Sequence, residues 1–278
     1  ILKTAEAGKM AALLVANGDF CALIDSDNVL PDKGWLQAMI NPLLAEPQAV
    51  GSEPWKYTWR KEDSIIDRYC ALIGMNDPLV LFLGNYDRCN VLTVKWTEVE
   101  HKEKDKGNYL LTEFNKKGLP TIGANGTVFR TSFLKKYAVG NYLFDIDILA
   151  SAIMETGTVK FIKVKNGIIH TFCGNNIAKF GRKQQRRIRD YLYHKINKDR
   201  TYSWEGQSHI KKGMITYLVY CLTVVPLIGQ AITGYLRKPD LAWFFHPLAC
   251  ELTLWEYGRG YLFSFFKTSE ISRKGWKQ

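Results

Sequence analysis

The sequence predicts an α/β protein, a mixed sheet flanked by helices, with an apolar helical segment at its C-terminal end. Three observations carry that prediction. A helical run, a tight turn and a short continuous apolar run succeed one another over residues 3–24. Extended and helical stretches then alternate as far as residue 172. Finally, 24 consecutive uncharged residues occupy positions 213–236. Alternation of strands and helices is how a chain covers both faces of a sheet. The 278 residues suffice for one large core with an appendage or for two modest domains. With 46% hydrophobic and 23% charged residues, the chain is neither disordered nor a polytopic membrane protein.

Residues 3–16 place alanine and leucine at helical spacing, and Asn17-Gly18 stops the run. "FCALI" (20–24) is short, apolar throughout and suited to a strand buried on both faces. A second helix starts near Pro31-Asp32 and is expected to turn Trp35, Leu36 and Met39 inward. Residues 49–58 read as extended and 62–75 as helical, while "VEHKEKDKGN" (99–108) reads as a polar loop. "LPTIGANGTVFR" (119–130) reads as strand and turn, 145–156 as helix, and "VKFIKVKNGIIHTF" (159–172) as two strand-like stretches. The chain opens at Ile1 inside an apparent helix, so further residues are expected upstream.

The last quarter is different in character. The uncharged run is flanked by Lys211-Lys212 and Arg237-Lys238, and Trp243, Phe244, Phe245, Trp255 and Tyr257 crowd the sequence after it. Its length can cross a bilayer, but Gln230 and Pro226 interrupt it. A hairpin lying in one leaflet, a single span and a buried helix pair are the three readings, the first preferred. The charge sits just before it: residues 160–212 hold 14 Lys/Arg against 3 Asp/Glu, whereas the remainder holds 24 of each. Such a block suits either a solvated helix face or, the preferred reading, a polyanionic partner, and with no nucleic-acid motif in the chain an anionic membrane surface or phosphates are favoured. The six cysteines form no C-x-x-C and no close pair, which fits reduced thiols and a cytoplasmic face.

The chemistry concentrates in "LIDSDN", residues 23–28. Asp25 and Asp27 follow the carboxyl end of the expected strand, where open α/β sheets bind ligands. Two carboxylates so close repel each other unless a cation lies near, and hard divalent ions combine carboxylate ligands with substrate phosphates. By itself, Asp-Ser-Asp-Asn equally suits a turn that caps the next helix.

Around that tetrapeptide the sequence resembles the family 2 glycosyltransferases of the GT-A fold. "GKMAALLVANGDFCALIDSD" (8–27) is similar to the family's helix, Gly-Asp and hydrophobic strand ending in D-x-D. "GANGTVFR" (123–130) resembles its acceptor-side segment, and "FDIDI" (144–148) stands where E-D-x-D/E-L is usual. His170 ends a strand, as in the family, and "KQQRRI" (183–188) is a variant of Q-x-x-R-W. The resemblance covers residues 8–188 and implies a GT-A-like, Rossmann-like domain over 1–200 whose first strands precede Ile1; the apolar run and its flanks add an expected membrane-association region over 201–278.

It further implies an inverting transfer of sugar from a nucleotide-diphosphate sugar to a lipid-linked or glycan acceptor, dependent on Mn²⁺ or Mg²⁺. Asp25 would contact the donor's ribose or sugar, Asp27 would hold the metal with His170 as a further ligand, and Lys9 would reach the donor's phosphates. Gln184 and Arg187 would steady the leaving diphosphate, while Asn125 and Arg130 would face the acceptor. Asp145 would be the general base; Phe144 replaces the family's Glu before it, which leaves Asp147 as the alternative. The helix dipole is expected to lower the pKa of Asp145. Ile188 in place of Trp speaks against a processive synthase. A nucleotidyltransferase or a non-enzymatic basic module are the rival readings. Residues 213–278 are expected to be an appendage, so that a chain ending at Lys212 still folds.

Overall fold

The computed structural model describes residues 5–138, 143, 145–197, 200, 202 and 208–264. Helix α1 (Ala5–Val15) leads into strand β1 (Phe20–Ile24) and the two-residue β2 (Asn28–Val29). Helix α2 (Trp35–Ala45), strand β3 (Ala49–Thr58) and helices α3 (Ile65–Ile73) and α4 (Pro78–Leu83) follow. The hairpin β4 (Lys102–Asp105) and β5 (Tyr109–Asn115) precedes β6 (Asn125–Arg130), α5 (Thr131–Tyr137), α6 (Asp145–Thr156) and β7 (Thr158–His170). The chain continues as α7 (Ile177–Asn197), α8 (Ser208–Thr223), α9 (Val225–Arg237), a 3-10 turn (Leu241–Phe245) and α10 (His246–Ser264).

The seven strands form one mixed sheet in the order β1-β6-β3-β7-β5-β4, with β2 added against β7. Only β3 and β7 run parallel; the other pairs are antiparallel. On one face, Leu13 of α1 and Ile146, Leu149 and Ile153 of α6 pack against Phe129 and Phe161. On the other, Trp35, Met39 and Leu43 of α2 cover Val128, Ile162 and Ile168. An α/β architecture with a mixed sheet flanked by helices, compatible with a Rossmann-like fold, is therefore what the alternation encodes.

Four local expectations need correction. β1 pairs only with β6 among the described residues, so Ala22 and Ile24 are exposed and the strand is an edge rather than buried on both faces. Leu36 is exposed, because α2 turns only one stripe inward. The charged stretch 99–108 is loop only at its two ends: Lys102–Asp105 forms the outer strand of the sheet, exposed, where its charges discourage pairing with another chain. Residues 158–170 are a single strand; Gly167 faces Thr58, where a Cβ would come within 3.0 Å of the threonine's own. Close approach, not a turn, explains that glycine.

The C-terminal segment shares a core with the rest of the chain, where an appendage was expected. Trp243, Phe245 and Ala249 share one core with Tyr69 of α3 and Phe180 of α7. Gly234 lies against the Trp243 ring, and Trp243 Nε1 donates to the Lys238 carbonyl at 3.0 Å. Gln230, polar within an apolar run, is turned inward: its Oε1 lies 3.0 Å from His246 Nε2, and His246 Nδ1 accepts from Tyr69 Oη at 2.8 Å. α8 and α9 meet at a 97° bend. Pro226 withholds an amide from any continuing helix, and Val224 (φ 58°) takes up the break. Among the described residues no single helix is long and apolar enough to cross a membrane, although the bent pair is by length and composition.

Candidate active site

The turn after β1 is built from its own residues. Asp25 N donates to Asn28 Oδ1 at 3.1 Å, and Asn28 N donates to the Asp25 carbonyl at 3.0 Å. The Asp27 carbonyl accepts from Thr171 N at 2.8 Å and from Thr171 Oγ1 at 3.0 Å, so the end of β7 fixes the second aspartate. Asn28 is the β-ladder partner of His170, and Ile24 that of Asn125 across a bulge. Gly126 (φ +84°) makes the start of β6 possible, since a Cβ there would lie 2.5 Å from Ile168 and 3.1 Å from Trp35. The site thus lies at the carboxyl ends of β1, β3 and β7 and the beginning of β6.

One half of it gathers around Asp27. His170 Nδ1 is 3.6 Å from Asp27 Oδ1, and Lys183 Nζ is 3.3 Å from Oδ2. Burial pushes the His170 pKa down although Asp27 works against it, so the ring is neutral near pH 7. A neutral ring has one N–H and one lone pair, and both nitrogens meet amides: Asn28 Nδ2 at 2.7 Å from Nδ1 and Asn76 Nδ2 at 3.2 Å from Nε2. Asn76 Oδ1 is buried without a donor among the described residues. With that amide turned over, Oδ1 accepts the Nε2–H and the Nδ1 lone pair accepts from Asn28 Nδ2. Asn76 also ties in the rest: its carbonyl accepts from Gln184 Nε2 at 2.7 Å and Arg187 Nη1 at 3.3 Å, and Gln184 Oε1 accepts from Arg187 Nη1. Asp77 stands 3.7 Å from the same guanidinium, and Tyr257 of α10 donates to Asp77.

The other half gathers around Asp145. Lys9 Nζ pairs with Asp25 Oδ1 at 2.9 Å. Burial pushes the Asp145 pKa up to about 6; Lys9 draws it down, and Asp25 pushes it further up. The expected lowering by the helix dipole is thus overturned: a dipole near the surface is worth about 1 kcal/mol at most, less than one pKa unit, and burial exceeds it. Asp145 Oδ1 is buried and has no hydrogen-bond partner among the described residues. A Cβ at Gly123 would stand in ordinary contact with Asp145 Oδ2, at 3.8 Å, so this glycine lies beside the carboxyl. Asp147 is differently placed, with Oδ2 on Arg200 Nε at 2.9 Å and Oδ1 on Tyr202 N at 2.7 Å. Its carboxylate fastens the segment after α7. Phe144 and the greater part of 198–207 lie outside the described residues.

Asn125 belongs to the site, accepting from Asn28 Nδ2 at 3.3 Å. Arg130 does not. It pairs with Phe20 at the opposite end of β1 and β6, where Nε donates to the Ala49 carbonyl at 2.9 Å and Nη2 to Leu43. Five residues of strand separate it from Asn125, roughly 17 Å. Beneath Asn125 lies a buried charge network that the sequence did not announce: Arg88 Nη1 meets Glu53 Oε2 and Asp87 Oδ2, each at 2.5 Å, and Lys163 Nζ meets Glu53 Oε1 at 2.6 Å. Arg88 Nη2 donates to the Asn125 carbonyl at 3.1 Å, so the network fixes that strand end. Burial raises the Asp87 pKa and lowers that of Lys163, each restrained by its partners. Charged residues inside extended apolar stretches, Glu53 in "GSEPW" and Lys163 in "KFIKV", were the available sign.

No family model, curated protein or solved structure matches this chain. The functional reading accordingly rests on these residues. Among the described residues no three His, Cys, Asp or Glu side chains gather into a metal cage. Asp27 and His170, with Nδ1 3.6 Å from Oδ1, are the pair that could contribute ligands to a divalent ion, provided that Nδ1 gives up its contact with Asn28.

Proposed function

We propose that the chain is an inverting, metal-dependent glycosyltransferase of family 2 type with a GT-A-like domain, transferring sugar from a nucleotide-diphosphate donor. The observation that carries this reading is Asp145, a half-buried carboxyl whose Oδ1 is enclosed and whose pKa is raised to about 6, sharing the Lys9–Asp25 neighbourhood of the D-x-D turn. A general base works best with a pKa close to the working pH. The acceptor hydroxyl, losing its proton to Asp145, forms a bond to the anomeric carbon as the bond from that carbon to the diphosphate oxygen breaks. Asp27 and His170 would hold Mn²⁺ or Mg²⁺, which neutralises charge on the diphosphate. Asn28 and Asn76 orient His170, and Gln184 with Arg187 places a fixed positive charge on the leaving-group side. Lys9, held by Asp25, sets the charge around the base rather than reaching freely for phosphate.

The bent α8–α9 pair supports a place on the cytoplasmic face of a membrane and hence a lipid-linked or membrane-proximal glycan acceptor. Ile215, Leu222, Val225 and Leu236 are exposed on it, and Trp255 and Leu262 are exposed on α10. An apolar face this extensive, flanked by lysine and arginine, suits a leaflet with anionic headgroups. All six cysteines are unpaired, in keeping with a reducing compartment.

The test is product analysis after incubation with several nucleotide sugars, Mn²⁺ and membrane lipid. Free nucleoside diphosphate and an inverted glycosidic linkage are expected. Release of pyrophosphate, with the nucleotide joined to the product, would make the protein a nucleotidyltransferase. In calorimetry, Asp27→Ala is expected to weaken Mn²⁺-dependent donor binding by about tenfold or more, since an anionic ligand is lost. Undiminished affinity would remove Asp27 from the site.

A further inference from the structure

Lys183 brings a charge into the site that the mechanism above leaves unused. It leaves α7 one residue before Gln184, with a side chain only 20% exposed. Three contacts hold its ammonium: the Phe172 carbonyl accepts from it, the Phe172 ring centre lies 4.2 Å away, and Asp27 Oδ2 lies 3.3 Å away. His170 addresses the other oxygen of that carboxylate at 3.6 Å. Arg187, one turn further along α7, has its guanidinium 6.0 Å from the same Phe172 ring. The first turns of α7 therefore bring two cations to the Phe172 ring, and one of them, Lys183, reaches Asp27.

A divalent ion on Asp27 and the Lys183 ammonium would claim the same carboxylate. Two cations side by side repel unless anionic oxygens lie between them, and a diphosphate supplies such oxygens. Building on the glycosyltransferase reading, we propose that Lys183 is a diphosphate-binding residue. Its ammonium leaves Asp27 Oδ2 for a phosphate oxygen of the nucleotide diphosphate once the divalent ion occupies Asp27. The long flexible stem allows the exchange while the backbone of α7 stays in place. Lys183 then contributes twice: it neutralises Asp27 before the ion arrives and stabilises the leaving group afterwards.

The probes are Mn²⁺ alone and inorganic pyrophosphate in saturating Mn²⁺, measured by calorimetry on the full chain and on its Lys183→Met and Lys183→Arg variants. Lys183→Met is expected to weaken pyrophosphate by about tenfold or more, the loss of a charge-assisted hydrogen bond. The same variant is expected to bind Mn²⁺ alone at least as tightly as the wild type, because a competitor for Asp27 is gone. Lys183→Arg should recover most of the pyrophosphate affinity. If Lys183→Met leaves pyrophosphate binding unchanged, or weakens Mn²⁺ alone to the same extent, Lys183 merely props Asp27 and the inference falls by itself. A wild-type chain that binds neither probe overturns both the inference and the reading beneath it.

Discussion

Replacing Asp145 with asparagine is expected to lower turnover by about a hundredfold or more while donor affinity stays near that of the wild type. The substitution keeps the shape of the side chain and removes only its capacity to take a proton. A distinct pH signature goes with it. Asp145 has its pKa pushed up to about 6, so the basic form, and with it kcat/KM, rises as pH passes upward through that value. The variant should lose that limb of the profile. Stability moves in the opposite sense. A carboxyl whose folded pKa exceeds its unfolded one binds more protons when folded, so the stability it contributes is lost as pH rises from the unfolded value, near 3.9, to about 6. Asp145→Asn removes a charge from a carboxyl whose Oδ1 is enclosed and should unfold no more readily than the wild type at pH 7. Thermal melts of both proteins, run beside the assays, separate lost chemistry from lost structure. If Asp147→Asn proves the more damaging to turnover while its melt matches the wild type, the role of base passes to Asp147, despite its bonds to Arg200 and Tyr202.

The elements that motif order could place were legible because their geometry is local. A turn that follows a strand must lie at that strand's carboxyl end, which located Asp25 and Asp27. His170 and Asn125 followed because β7 and β6 meet that end through ladder pairs at Asn28 and Ile24. Lys183 and Asn76 were not legible. Their place beside His170 and Asp27 depends on how the start of α7 and the loop after α3 approach the sheet, a packing outcome with no sequence spacing to mark it. Arg130 was misplaced for a simple reason: a motif was treated as one point, although a six-residue strand carries its two ends to opposite edges of the sheet. The Asp145 pKa was misjudged because helix position is visible in a sequence and burial is not. The C-terminal segment was read as one thing, an apolar appendage, when its residues divide between two faces with different tasks.

That division leads to the other large effect. Trp243 is fully buried between α9 and α3, so Trp243→Ala empties a large volume in a core shared with Tyr69 and Phe180. Substitutions of this kind cost about 3–5 kcal/mol, a large part of the ~5–15 kcal/mol that holds a domain together. A chain ending at Lys212 loses Trp243, Phe245 and Ala249 together and is expected not to fold, contrary to the appendage reading. Leu222 and Val225, 81% and 73% exposed, flank the bend of the same segment and touch little of that core. Leu222→Asp with Val225→Asp should therefore leave the denaturant midpoint in detergent close to that of the wild type. The same pair places two charges where the bend would meet hydrocarbon, and flotation with anionic vesicles should be lost. Lys211 and Lys212 add an electrostatic part that salt weakens, so the wild type should stay with vesicles in high salt and leave only with detergent. The two results bear on separate claims. Should the double aspartate variant destabilise the protein as much as Trp243→Ala, the exposed face is covered by protein and the leaflet assignment fails. A Trp243→Ala protein that unfolds at the wild-type midpoint would restore the segment to an appendage.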